Sequence, residues 1–168
     1  MPVKAKSVRI SAPKGGKVHF LDVVYDSMRP WNEAIRVVGS HASYERRTRQ
    51  IGDKYPPKPD EFKMRKIILV NFGKEVPTGQ LALDWAKSRS LQTTNPRAVF
   101  AIGETRPTLP TDLGLQDMAI VSTEPCLVNG NRNVCCVWWL GPDRNVLHVE
   151  FDAVWNQNAW FAFEQSTA

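Results

Sequence analysis

The order of apolar and polar residues changes along the chain, and its clearest part lies near the C-terminal end. Residues 135–163 hold three runs of aromatic and β-branched residues, separated by turns rich in glycine, proline, aspartate and asparagine. Four of the six tryptophans fall in these runs. Such a composition is typical of β-strands, and successive strands joined by short turns pair in antiparallel fashion. The pattern therefore predicts packed antiparallel strands.

The preceding residues predict both strands and helices. Continuous apolar runs predict further strands at 18–25, 66–73 and 118–122. Apolar residues at helical spacing predict helices at 31–38, at 81–87 and after Asn95-Pro96. Asn suits the cap of the last helix and Pro its first position. Helices grouped ahead of consecutive strands indicate an α+β fold, with a small antiparallel sheet and two to three helices.

Length and composition predict one domain with an appended arm. The first 17 residues carry five Lys or Arg residues and a Pro-Lys-Gly-Gly stretch, so we expect a flexible basic arm. The remaining residues, 18–168, are expected to form a single domain with a basic, proline-rich loop at about 40–66. No segment is apolar for long enough to cross a membrane, and no secretory leader is recognisable. Three cysteines, two of them adjacent, favour reduced thiols and a cytoplasmic location.

Charge is unevenly distributed along the sequence. Residues 1–66 hold 15 Lys and Arg against 7 Asp and Glu, whereas residues 67–168 hold 7 against 10. Arginine binds phosphate through a planar fork, and tyrosine stacks on exposed bases. The first part therefore offers a candidate nucleic-acid surface, formed by Tyr44, Arg46, Arg47, Arg49, Lys54, Tyr55 and Lys58. The alternative is that these charges simply lie in a solvated loop.

One stretch offers weak candidates for a metal site. Alternation along a strand would place His148, Glu150 and Asp152 on one face, and Leu147, Val149 and Phe151 on the other. Imidazole and carboxylate groups are metal ligands, but ligands on one flat strand diverge by almost 7 Å per step. The solvent-facing side of an amphipathic strand is therefore the preferred interpretation, and the sequence calls for no metal or other cofactor.

Residues 67–163 resemble a C-type-lectin-like domain of the bacterial and phage kind, the fold family that contains formylglycine-generating enzymes. The resemblance rests on a helix with an Ala-x-x-Trp-Ala pattern, the start of a second helix, a short strand and a final Trp-Asn-x-Asn strand. These occupy residues 81–91, 94–100, 120–123 and 155–163. Two positions depart from the family pattern. Arg97-Ala98 stands where an acidic helix residue is expected, and Glu124-Pro125-Cys126 keeps only part of a calcium motif.

The resemblance implies that residues around the last strand line a ligand surface. Asparagine supplies donors and acceptors and tryptophan a flat apolar face, which suits sugars, peptides or proteins. The candidate ligand-binding residues are Trp155, Asn156, Asn158 and Trp160. The alternative is that the tryptophans belong to the core. Because residues 161 and 163 alternate with 160 and 162, we expect one tryptophan to be buried and the asparagines to form a turn.

The sequence thus predicts a non-enzymatic, cytoplasmic binding protein that recognises a macromolecule or a small polar ligand. An alternative is a basic nucleic-acid-binding or nuclease-inhibiting accessory protein of a phage or mobile element. A metal-dependent enzyme is the alternative with least support, because no residues are spaced as a convergent catalytic site.

Overall fold

A computed structural model describes residues 9–39, 46–59 and 64–165. Within these ranges the chain forms an α+β fold with one open, mixed sheet, which confirms the predicted fold class. The strands are β1 Lys17–Val24, β2 Met64–Asn71, β3 Gln92–Thr93, β4 Asp117–Val121, β5 Cys126–Val128, β6 Asn131–Leu140, β7 Asp143–Glu150 and β8 Ala159–Glu164. The helices are α1 Trp31–Arg36, α2 Arg46–Gly52, α3 Gly79–Lys87, α4 Pro96–Thr105 and α5 Leu109–Asp112.

The last strand lies inside the sheet. Strand β8 pairs with β2 along one edge, and with β4 and then β3 along the other. Strand β1 extends the sheet beyond β2, and β6 extends it beyond β4. Strand β7 pairs with the far edge of β6, while β5 pairs with the start of β6. The sheet is larger than the sequence predicted, and its β4–β8 pair is parallel.

Alternation along the strands gives the sheet two apolar faces. The α4 face, represented by Ile67, Ile120 and Ala162, packs against α1, α2, α4 and α5. The opposite α3 face, represented by Ile68 and Phe161, packs against α3 and against residues 151–155. Both faces are buried at the centre of the sheet, so the adjacent residues of β2 and β8 point into different cores.

The region predicted as an extended loop contains a helix at its centre. Helix α2 is rich in Arg and Gln, which favour helices, and buries Thr48 and Ile51 three residues apart on one side. The prolines of residues 56–59 follow it in irregular structure, and residues 40–45 and 60–63 lie outside the described ranges.

Part of the predicted N-terminal arm is in contact with the domain. Ile10 packs against the α3-face core, and a turn at Pro13–Gly16 leads into β1, with Gly16 N–H donating to the Pro13 carbonyl at 2.8 Å. Residues 1–8 lie outside the described ranges. In the part of the chain that is described, no helix combines the length and apolarity needed to span a membrane.

Candidate functional site

A groove of about 220 Å³ opens on the α3 face, where β4, β6 and β7 lie side by side. Its surface is mainly apolar, and it is formed by the sheet together with the segment that leads into β8. The groove is lined by Ala119, Cys136, Trp138, Leu147, Val149, Val154, Trp155, Asn156 and Ala159.

The depth of the groove follows from the sizes of neighbouring side chains. Ala119 on β4 lies opposite Ala159 on one side and Trp138 on the other. Residues in register on adjacent strands have Cβ atoms about 5 Å apart, so two alanines leave a depression next to the indole ring. Trp138 is only partly buried and forms one wall of this depression.

The opposite wall is held rigidly. Trp155 pairs with Val76 through two backbone hydrogen bonds of 2.8 Å, and its indole Nε1 donates to the Phe151 carbonyl at 3.1 Å. Its ring also meets Phe161 edge-on, with centroids 5.7 Å apart. Trp155 is therefore held in place by these contacts where it lines the groove, and only 6% of its surface is exposed.

The rim of the groove carries both an apolar and a polar group. Val154 has 60% of its surface exposed, which is unusual for a valine beside a packed tryptophan. Asn156 is exposed, and its side-chain carbonyl accepts from the Asn158 N–H at 2.8 Å. The Asn156 amide nitrogen makes no hydrogen bond to any described residue, so it can donate to a ligand that reaches the rim.

The four candidate ligand residues are not brought together. Trp155 and Asn156 line the groove, and Asn156 and Asn158 form the predicted turn. Trp160 was predicted for the ligand surface, but it is buried in the α4-face core on the other side of the sheet. Strand β8 starts at Ala159, and alternation then sends Ala159 and Trp160 to opposite faces. Both tryptophans are buried, rather than one.

The candidate nucleic-acid residues are only partly described. Tyr44 lies outside the described ranges, and Arg46 and Arg47 belong to α2, with side chains that are not described. Arg49, Lys54 and Lys58 are exposed.

Tyr55 does not fit the role of a base-stacking residue. Its ring stacks on Trp31 with centroids 6.3 Å apart, and its hydroxyl donates to the Glu124 carbonyl at 2.9 Å. Burial raises the pKa of this phenol well above its ordinary value. The Tyr55 ring therefore packs within the fold, and its role at a nucleic-acid surface stays a prediction.

The weak metal candidates do not share one strand face. Strand β7 ends at Glu150, and Asp152 lies in the turn beyond it. There the Asp152 carboxylate bonds the Arg132 guanidinium, which holds the pKa of Asp152 below its usual range. His148 is partly buried, whereas Glu150 is exposed. Among the residues that the structure describes, no group of three or more His, Cys, Asp or Glu side chains is placed to hold a metal ion.

Two adjacent cysteines lie within the core strand β6 and form no disulfide. Cys135 and Cys136 are buried on opposite faces, and Cys126 is half-buried. Burial raises the pKa of Cys136 to about 12 and that of Cys135 well above its usual value. These thiols therefore remain protonated at neutral pH, which is inconsistent with a nucleophilic role.

Sequence reasoning missed Trp138 and Val154 as surface residues. Trp138 follows Cys135-Cys136-Val137 in a run that reads as core throughout, and nothing local marks it as uncovered. Leu147 and Val149 were predicted to lie on one packed face of a strand. They do share a face and pack against the α3-face core, but both also line the groove.

Comparisons with known protein families, with curated proteins and with solved structures find no match to this chain.

Proposed function

We propose that this chain is a non-enzymatic binding protein that holds an apolar side chain of a partner protein in the groove between Trp138 and Trp155. The observation that carries the proposal is the combination of an uncovered apolar groove with a rigid wall. Trp155 is fixed by its bonds to Val76 and Phe151, so the groove needs no ordering when a ligand binds.

The size of the groove favours part of a protein over a whole small molecule. Sites for drug-sized ligands and cofactors usually measure about 300–1,000 Å³. A groove of about 220 Å³ accommodates one or two side chains, such as a leucine or an aromatic ring, carried on a polypeptide that continues past the rim. The Asn156 amide is placed at the rim to donate to a backbone carbonyl of such a segment.

The chemistry of the lining also argues against a purely polar ligand. A sugar requires several donors and acceptors on the floor of its site, whereas this floor is formed by Ala119, Ala159, Cys136 and the aliphatic residues of β7. An apolar floor gains binding free energy by excluding water from both surfaces, roughly 25 cal/mol per Å² of apolar area. An aliphatic or aromatic side chain is the complementary group.

The proposal is tested by selecting binders from a random linear peptide library against the folded chain. Selected peptides are expected to share an aliphatic or aromatic residue. Val154→Asp places a charge at the groove and should weaken their binding by about tenfold or more, because an apolar contact is replaced by a desolvated carboxylate. Affinity is measured by fluorescence polarisation.

Leu127→Asp serves as the matched control. Leu127 is an exposed apolar residue of β5, 64% exposed, that does not line the groove. Its substitution should leave peptide affinity unchanged. If no peptides are enriched, or if both variants lose affinity equally, the groove is not the binding site and the proposal fails.

A further inference from the structure

A second, smaller cavity of about 80 Å³ lies between the loop after β1, the loop after α2 and the start of α4. It is remote from the groove, since it lies on the α4 side of the sheet, against the N-terminal end of α4. None of its seven lining residues is acidic: Tyr25, Ser27, Tyr55, Pro56, Lys58, Asn95 and Arg97.

Arg97 is a buried cation at this cavity. Only 6% of its surface is exposed. Its Nε and Nη2 donate to the Tyr55 carbonyl at 3.3 and 2.9 Å, and its Nη1 donates to the Arg29 carbonyl at 2.7 Å. These bonds use three of five N–H groups, and no carboxylate of the described residues forms an ion pair with Arg97. The guanidinium also lies over the Trp31 ring, with its Cζ 5.7 Å from the ring centroid, and two of its N–H groups have no partner among the described residues.

Two further donors border the same space. The Tyr25 hydroxyl accepts a hydrogen bond from the Asn95 side chain at 3.0 Å, which leaves its own O–H available to donate. Lys58 is exposed at the cavity, and its backbone is fixed by two hydrogen bonds with Ser27, of 2.8 and 2.9 Å. An ammonium, a phenol and a guanidinium therefore border the cavity.

Neighbouring carboxylates are engaged elsewhere. Glu104 forms an ion pair of 2.8 Å with Arg29, and the Asp26 carboxylate accepts from the Met28 N–H at 2.9 Å. Burial raises the pKa of the Glu124 carboxyl, although the charge of Lys58 acts on it in the opposite direction. None of these three residues lines the cavity, although the charge of Asp26 acts favourably on Arg97 from outside it.

We propose that the cavity binds the phosphate of a phosphomonoester through Arg97, Lys58 and Tyr25. Arginine and lysine are the usual ligands of phosphate, and Arg97 donates the two N–H groups that its bonds to backbone carbonyls leave over. The cavity exceeds the roughly 10–15 Å³ that a single water needs. Two of its lining residues, Pro56 and Lys58, are exposed, so the esterified group can extend into solvent. The partial positive charge at the start of α4 adds to the same preference.

The first experiment titrates the protein with inorganic phosphate and with a nucleoside 5′-monophosphate at constant ionic strength, followed by calorimetry. Both are expected to bind at one saturable site. Lys58→Gln should weaken binding by about tenfold, the usual effect of removing one charge-assisted hydrogen bond. Tyr25→Phe should weaken it by a smaller factor. Arg97 is not substituted, because it also holds two loops in place.

Lys54→Gln is the matched control, since Lys54 is exposed four residues away and does not line the cavity. It should bind phosphate like the unaltered chain. Single-stranded oligonucleotides with and without a 5′-phosphate then separate a free ester from the end of a nucleic acid. The proposal is overturned if phosphate binding is not saturable, or if both lysine variants lose phosphate affinity equally. It is also overturned if oligonucleotides bind equally well with and without a 5′-phosphate while the small phosphates do not bind.

Discussion

At the scale of the residue, Thr123 joins three segments of the chain in the interior. Its side chain is fully buried, donates to the Ala162 carbonyl at 2.6 Å and accepts from the Thr94 N–H at 2.9 Å. Thr123→Val keeps the shape but leaves both partners without a bond. We expect the free energy of unfolding to fall by about 1–3 kcal/mol, measured by urea denaturation.

Thr123→Ser provides the comparison, because it keeps the hydroxyl and removes only a methyl group. It should be more stable than Thr123→Val. Equal stability of the two variants would show that the hydroxyl contributes nothing at this position.

His19 makes stability depend on pH. Partial burial, and then the charge of Arg106, lower the pKa of His19 in the folded chain. The unfolded chain therefore binds more protons than the folded one below about pH 6.5, so this contribution to stability is present above that pH and is lost on acidification. Urea denaturation from pH 7.5 down to pH 5 measures the loss. His19→Gln should show a shallower decline, and an identical decline would contradict the assignment.

Individual residues show how far sequence reasoning reaches. Trp155 and Asn156 were predicted to lie at a ligand surface, and they line a groove, while ligand binding itself stays a prediction. Trp160 was predicted on the wrong face of the sheet. Alternation shows which residues of a strand share a face, but the sequence does not show which face each set occupies. The groove depends on Ala119 and Ala159, which come together only through the pairing of distant strands. No local sequence pattern indicates that these two alanines lie next to each other.

At the scale of the element, α2 is held against α1 by a close approach at its last residue. A Cβ atom added at Gly52 would lie 2.6 Å from the Trp31 ring, so the helices pack this closely only because no side chain intervenes. Gly52→Ala should lower the free energy of unfolding by about 1–3 kcal/mol, as overpacked sites generally do. Thermal denaturation followed by circular dichroism measures it.

Asp53→Ala is the control for this substitution, because Asp53 is the next residue and is exposed. It should change stability by less than about 0.5 kcal/mol. A Gly52→Ala protein with the same melting temperature as this control would contradict the close packing of α1 and α2.

Elements with a strong local signal were predicted and those without one were missed. Helix α4 begins where predicted, and the Asn95 side chain accepts from the Ala98 N–H at 3.2 Å, which confirms the cap. Helix α2 was read as loop because it is short and mostly polar, and among its residues 48–52 the buried ones are Thr48, Ile51 and Gly52. This helix is stabilised by packing against the core, and the sequence of a short polar segment does not reveal such packing.

At the scale of the whole molecule, the basic and acidic parts of the sequence are not two halves in space. Strand β1 comes from the basic part, yet it pairs along its whole length with β2, of which residues 67–71 belong to the acidic part. The charge separation is therefore present along the sequence, but it does not divide the folded molecule into a basic and an acidic half. The predicted order of strands was similarly incomplete, because a parallel pair between β4 and β8 joins segments that local turns do not connect.

The central position of β6 predicts how the thiols react. Cys135 and Cys136 are buried on opposite faces, whereas Cys126 is half-buried. A thiol reagent such as Ellman's reagent should modify Cys126 first in the native protein and all three only after unfolding in urea. Cys126→Ser should remove the fast phase. Rapid labelling of Cys135 in the native state would contradict the core assignment.

The placement of β8 between β2 and β4 has a consequence for synthesis on the ribosome. Residues 64–158 can leave the exit tunnel and still lack the strand that bridges β2 to β4, because β8 begins only at Ala159. Neither core can close before that strand arrives, since Phe161 faces one of them and Ala162 the other. The nascent domain therefore cannot complete either core until β8 has left the tunnel, and before then its apolar strands expose surface that is prone to aggregation.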